Sequence, residues 1–93
     1  MLKIRIQNRF EKDYKLIRKR NLPTEELWEV VKKLQRGEAL LAEYRDYQLT
    51  ESKEFKDVRE CHIRPDWLMI YRINKEESTL LLIRTGTHSD LFA

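Results

Sequence analysis

The segment Trp67-Leu68-Met69-Ile70-Tyr71 is the longest apolar run in a chain of 93 residues, 38% of them charged. Extended through Arg72 to Ile73, it reads as a strand apolar on both faces, which belongs at the centre of a sheet. A chain this long buries roughly two-thirds of the surface its unfolded form exposes. That supports one core and leaves function to a surface or a shallow groove. Neither this run nor Leu80-Leu81-Leu82-Ile83 approaches the roughly 20 residues of a membrane helix.

The residue types narrow the field further. One cysteine cannot form a disulfide framework within the chain, and with two histidines it cannot supply the usual four-ligand Cys/His zinc site. No metal or cofactor is expected. The start, Met1-Leu2-Lys3-Ile4-Arg5-Ile6-Gln7, carries charge where a signal peptide's apolar stretch would lie. The expectation is a single cytoplasmic domain over residues 1–93. Charge is uneven: residues 1–20 carry eight Lys/Arg against two acids, residues 21–60 seven against ten, and residues 61–93 four of each. A basic face of this kind attracts phosphate backbones, although a solvated helix has the same composition.

Periodicity orders the elements. Leu2, Ile4 and Ile6 alternate with polar residues, as in a half-buried strand. Phe10, Tyr14 and Ile17 then recur at helical spacing, with Asn8 as the expected N-cap and Asn21-Leu22-Pro23 as the break. A second helix opens at Thr24, expected to cap it, with Glu25 and Glu26 in its first turn. Leu27, Val30, Val31 and Leu34 form its apolar stripe, and Gly37 stops it. The two should pack as an antiparallel hairpin. Residues 38–54 read as a long loop with room for a short strand at 45–49. Strands follow at 56–63, 67–73 and 79–85, and then a tail ending in Leu91-Phe92. The expected fold is α+β, in the order βααβββ, with a helical hairpin on one face of a largely antiparallel sheet.

His62, Asp66, Arg84 and His88 fall on the later strands or at their ends. Strict alternation puts Arg84 in a row with Leu80 and Leu82, where a guanidinium requires an anionic partner such as Glu60 or Asp66. Two imidazoles and an arginine meet the needs of metal-free RNA cleavage. One group takes the 2′-hydroxyl proton, one protonates the departing 5′-oxygen, and a cation offsets the phosphorane charge. Trp67 and Phe92 offer flat faces for bases. Plain structural roles compete with each assignment: exposed histidines, a paired arginine, Trp67 as core and Asp66 as a turn residue. Cys61 and His62 are adjacent on a strand and point to opposite faces, which excludes a Cys-His nucleophile pair.

The stretch Arg59-Glu60-Cys61-His62-Ile63-Arg64-Pro65-Asp66-Trp67-Leu68-Met69-Ile70-Tyr71, followed by Arg84-Thr85-Gly86-Thr87-His88-Ser89-Asp90-Leu91-Phe92, resembles the YafQ branch of the RelE toxin superfamily. The resemblance extends over nearly the whole chain. It implies the toxin of a type II toxin–antitoxin module: an endoribonuclease that enters the ribosomal A site and cuts messenger without a metal. It also implies a cognate antitoxin partner, and contact with operator DNA only through the antitoxin complex. On matching positions His88 would be the general acid and Arg84 the phosphate stabiliser. His62 and Asp66 would serve proton abstraction or orient the substrate, and Trp67 and Phe92 would shape the site or hold a base. Many relatives carry a histidine where this chain has Tyr47, which can bind phosphate or stack but is a poor base at neutral pH. Tyr47 therefore leaves two further readings open: an attenuated enzyme, or a non-catalytic module working in an antitoxin-bound regulatory complex. A general RNA-binding domain without ribosome dependence is a third.

Overall fold

The computed structural model describes residues 1–49 and 57–92. Strand β1 (Lys3–Ile6) leads into helices α1 (Asn8–Lys19) and α2 (Thr24–Gln35). A 3₁₀ turn (Ala42–Tyr44) precedes β2 (Tyr47–Leu49), β3 (Val58–Arg64), β4 (Trp67–Asn74), β5 (Thr79–Gly86) and a last helix, α3 (His88–Phe92). The strands form one sheet in the order β1-β5-β4-β3-β2. Among the described residues only the β1–β5 pair is parallel; β2–β3, β3–β4 and β4–β5 are antiparallel. The α+β architecture is the expected one, with β4 at the sheet centre.

Local chemistry explains where the helices stop. Asn21 and Gly37 both take left-handed conformations, at φ 59° and 78°. At each, two main-chain bonds close the helix end: Asn21 N–H to Arg18 and Leu22 N–H to Ile17, then Gly37 N–H to Leu34 and Glu38 N–H to Lys33. That pairing is the Schellman arrangement, favoured where Gly or Asn follows the last turn. The starts differ from expectation. Asn8 and Thr24 are the first helical residues, Gln7 and Pro23 hold the cap positions, and neither makes a side-chain cap bond.

Both helices lie on one face. Phe10 and Ile17 from α1, with Leu27, Val30, Val31 and Leu34 from α2, bury against Cys61, Trp67, Met69, Tyr71, Leu80 and Leu82. Tyr14 and Trp28 join the helices, the indole N–H donating to the phenol oxygen at 2.8 Å. The opposite face carries a smaller cluster of Val58, Leu68, Ile70 and Ile83, covered at one end by Leu91 of α3.

Three features depart from the sequence reading. The strand expected within 45–49 is Tyr47–Leu49, preceded by the unforeseen 3₁₀ turn. The C-terminal tail is a helix. Between β4 and β5 the register skips, so that Tyr71 faces Leu82 but Ile70 faces Arg84. Ile83 is thus the extra residue of a β-bulge, and strict alternation fails. Arg84 crosses to the face of Ile70, while Thr85 takes the helix side opposite Met69. Residues 50–54 of the expected loop, and residue 56 of the expected strand, lie outside the described residues.

Candidate active site

Paired positions in adjacent strands present their side chains on the same face. Two rows therefore cross the sheet on the side away from α1 and α2. One runs Tyr47–Glu60–Ile70–Arg84, and the other His62–Leu68–Gly86. The chain turns at Gly86 and brings α3 back over this face. The His62 and His88 rings stand 5.7 Å apart, centroid to centroid. Tyr47 lies 6.4 Å beyond His62, and Phe92 lies 6.1 Å from His88. Four rings from three separate elements thus meet on one surface.

Asp66 orients His88. It sits in the two-residue turn between β3 and β4, and one of its oxygens accepts the His88 backbone N–H at 3.1 Å and faces Nδ1 at 3.3 Å. The His88 backbone bond, then its ring, hold the Asp66 carboxyl below the usual aspartate range. A carboxylate beside Nδ1 favours the proton there and leaves Nε2 as the working nitrogen. His88 is exposed, whereas His62 is buried and its Nδ1 has no hydrogen-bond partner among the described residues. Tyr47 lies across from buried Glu60, and the influence of that carboxylate, with burial, raises the phenol above its ordinary value.

Arg84 is paired with an acid that the sequence reading did not name. Its Nε and Nη2 donate to Asp13 of α1 at 2.6 and 3.2 Å, and Asp13 also accepts the Thr85 backbone N–H at 3.2 Å. The cause is strand length. β1 ends opposite Leu82, and α1 runs alongside the part of β5 that continues beyond it. Trp67 does not present a face to substrate: it is 2% exposed and its Nε1 donates to Thr85 Oγ1 at 2.9 Å. A stacking role for Trp67 is corrected to a core role, because the helix-side face of β4 is buried from Trp67 to Tyr71. Cys61 is buried on that same face, and burial raises its thiol pKa strongly. No group of three or more His, Cys, Asp or Glu among the described residues is gathered to hold a metal.

Sequence reasoning missed Asp13, Arg20 and Asp90. Thr87 and Asp90 cap α3 reciprocally: the Asp90 N–H donates to Thr87 Oγ1 at 3.1 Å and the Thr87 N–H to Asp90 at 2.9 Å. That is a capping box, and the spacing Thr87-x-x-Asp90 was its visible signal. Arg20, just past α1, clamps the same carboxylate at 2.7 and 3.2 Å. Glycine is required beside it, since a Cβ on Gly86 would lie 2.8 Å from Asp90 Oδ2.

A pH dependence follows. The Arg20 pair, then the Thr87 N–H, depress the Asp90 pKa, and Asp66 is depressed as well. Groups lowered on folding stabilise the ionised, docked form above their ordinary value of about 3.9. That contribution is lost as pH falls toward the lower folded values. α3 is therefore expected to loosen on acidification before the sheet does. Side-chain NMR signals of Leu91 and His88 moving ahead of those of Met69 would show it; coincident loss would contradict it.

A family model for the bacterial toxin of type II toxin–antitoxin systems, YafQ, matches residues 2–93. The mRNA interferase toxin YafQ of Escherichia coli strain B / BL21-DE3 is 36% identical over 90 residues, 96% of this chain and 94% of that protein. Among solved structures, the metal-bound toxin from Helicobacter pylori is 41% identical with a TM-score of 0.91, covering 99% of this chain and 100% of that one. The E. coli DinJ–YafQ complex matches over the whole of both chains at 34% identity and a TM-score of 0.88. The chain belongs to the YafQ family of bacterial type II toxin–antitoxin toxins.

Proposed function

We propose that this protein is a ribosome-dependent endoribonuclease that cuts messenger in the A site and is neutralised by a cognate antitoxin. The observation that carries the reading is the meeting of His62 and His88 at 5.7 Å, with Asp66 on the latter. His62 takes the proton of the ribose 2′-hydroxyl as that oxygen attacks the adjacent phosphorus. His88, held through Nδ1 by Asp66, gives a proton from Nε2 to the departing 5′-oxygen. The products are a cyclic 2′,3′-phosphate and a 5′-hydroxyl. Asp66 thus serves the acid rather than the base. Arg84, with its Nε edge committed to Asp13, adds positive charge on the phosphate side. Phe92, 43% exposed beside His88, holds a base by stacking. Trp67 acts from the core by fixing Thr85.

The relatives' complex with DinJ supports an antitoxin partner for this chain. The eight Lys/Arg of residues 1–20 suit a surface for ribosomal RNA, with binding that weakens steeply as salt rises. The test is cleavage of messenger in a translation extract, compared with naked messenger. Cutting confined to ribosome-bound message supports the reading, and no cutting of either removes it. Tyr47→His is expected to cleave faster than the natural chain, because an imidazole at this place can share the base role with His62. Equal or slower cleavage by the variant would show that the tyrosine is no loss.

A further inference from the structure

Beside His62 an open cavity of about 420 Å³ is bounded by Glu43, Tyr44 and Arg45 and by the turn from His62 to Pro65. Its origin is topological. β2 pairs with β3 only from Val58 to Glu60, so the outer edge of β3 from Cys61 to Arg64 faces no strand among the described residues. The 3₁₀ turn packs there instead and leaves the gap.

We propose that this cavity is a subsite for one base of single-stranded RNA next to the scissile phosphate, selecting bases with an exocyclic amino group. The proposal rests on the nuclease reading above and names the substrate feature which that site selects. Its volume falls in the ordinary range for a small-ligand site, about 300–1,000 Å³. The unpaired strand edge supplies fixed main-chain donors and acceptors, and single-stranded bases are read by such hydrogen bonds along their edges. Pro65 adds a flat apolar wall. The two arginines differ: Arg64 is committed to Glu26 through two bonds at 3.0 and 2.7 Å, whereas the Arg45 guanidinium makes no hydrogen bond or ion pair among the described residues. Arg45 also occupies a left-handed conformation, φ 46°, which is costly for a residue with a side chain. A turn shaped for stability alone would carry Gly or Asn there. A guanidinium in this position stacks on a base or meets its phosphate. Glu43 accepts hydrogen bonds and donates none, so it favours the amino edges of adenine, cytosine and guanine over uracil.

Two variants test the assignment in the full chain. Arg45→Gly keeps the left-handed turn and removes the cation, and Glu43→Gln keeps shape while adding a donor. Binding is measured with short single-stranded RNAs that differ at one position, using His88→Ala protein so that the probes stay intact. Cleavage sites are mapped in parallel on ribosome-bound messenger with His88 present. Arg45→Gly is expected to weaken binding about tenfold, and Glu43→Gln to bind the uracil probe as well as the others. Unchanged affinity and unchanged base preference in both variants overturn the subsite. Absence of cutting by the natural chain overturns the nuclease reading instead, and the binding measurement still decides the subsite.

Discussion

Replacing His88 with alanine is expected to slow messenger cleavage by about 100- to 10,000-fold, the usual contribution of a positioned general acid, with no loss of fold. The two effects separate because of where the residue sits. Its side chain is 56% exposed, and the bond that anchors the start of α3 to Asp66 comes from the backbone N–H, which alanine keeps. Substitutions at such exposed positions usually change stability by less than about 0.5 kcal/mol. The variant should therefore melt like the natural chain. Cleavage within a few-fold of normal would remove His88 from the acid role. Arg84→Ala offers no such separation, because it also strips Asp13 of its partner.

Asp13→Ala is expected to cost about 3–5 kcal/mol of stability, the range seen when one partner of a mostly buried ion pair is removed. The carboxylate takes two bonds from Arg84 and one from the Thr85 backbone, at the point where the sheet edge passes β1. Side-chain exposure is only 10% for Arg84 and 15% for Asp13, so water replaces those bonds poorly. Against a total stability of about 5–15 kcal/mol for a domain, this is a large single loss. Urea unfolding would show a lower midpoint at unchanged slope, with Asp13→Asn intermediate because it keeps an acceptor. A loss under about 1 kcal/mol for the alanine variant would mean that the pair is solvated.

Much of this molecule was legible before its structure. Alternation at Leu2, Ile4 and Ile6, helical spacing at Phe10, Tyr14 and Ile17, and the breaks at Asn21 and Gly37 are local properties, and local conformational preference carried them through. The convergence of His62 and His88 was legible too, since a strand, a turn and a glycine leave few routes for the chain. The 3₁₀ turn was not, because a three-residue element has no period to detect, and β2 showed only as room for a short strand at 45–49. α3 escaped for the same reason, although its capping box was written in Thr87 and Asp90. Asp13, Arg20 and Asp90 looked like ordinary charges on polar surfaces, and nothing nearby in the chain marks their partners, 70 or more residues away.

The sequence by itself determined the order of elements, the central place of β4 and the collection of acid–base groups at the C-terminal end. These follow from side-chain pattern and backbone preference within a few residues. Tertiary structure alone decided the partnerships: Asp13 with Arg84, Asp66 with His88, and Glu60 with Tyr47. One extra residue at Ile83 sent Arg84 to the other face, and the short reach of β1 and β2 opened the sheet edges where Asp13 binds and the cavity beside His62 lies. Register and strand length are set by the packing of the whole sheet, so no stretch of residues announces them.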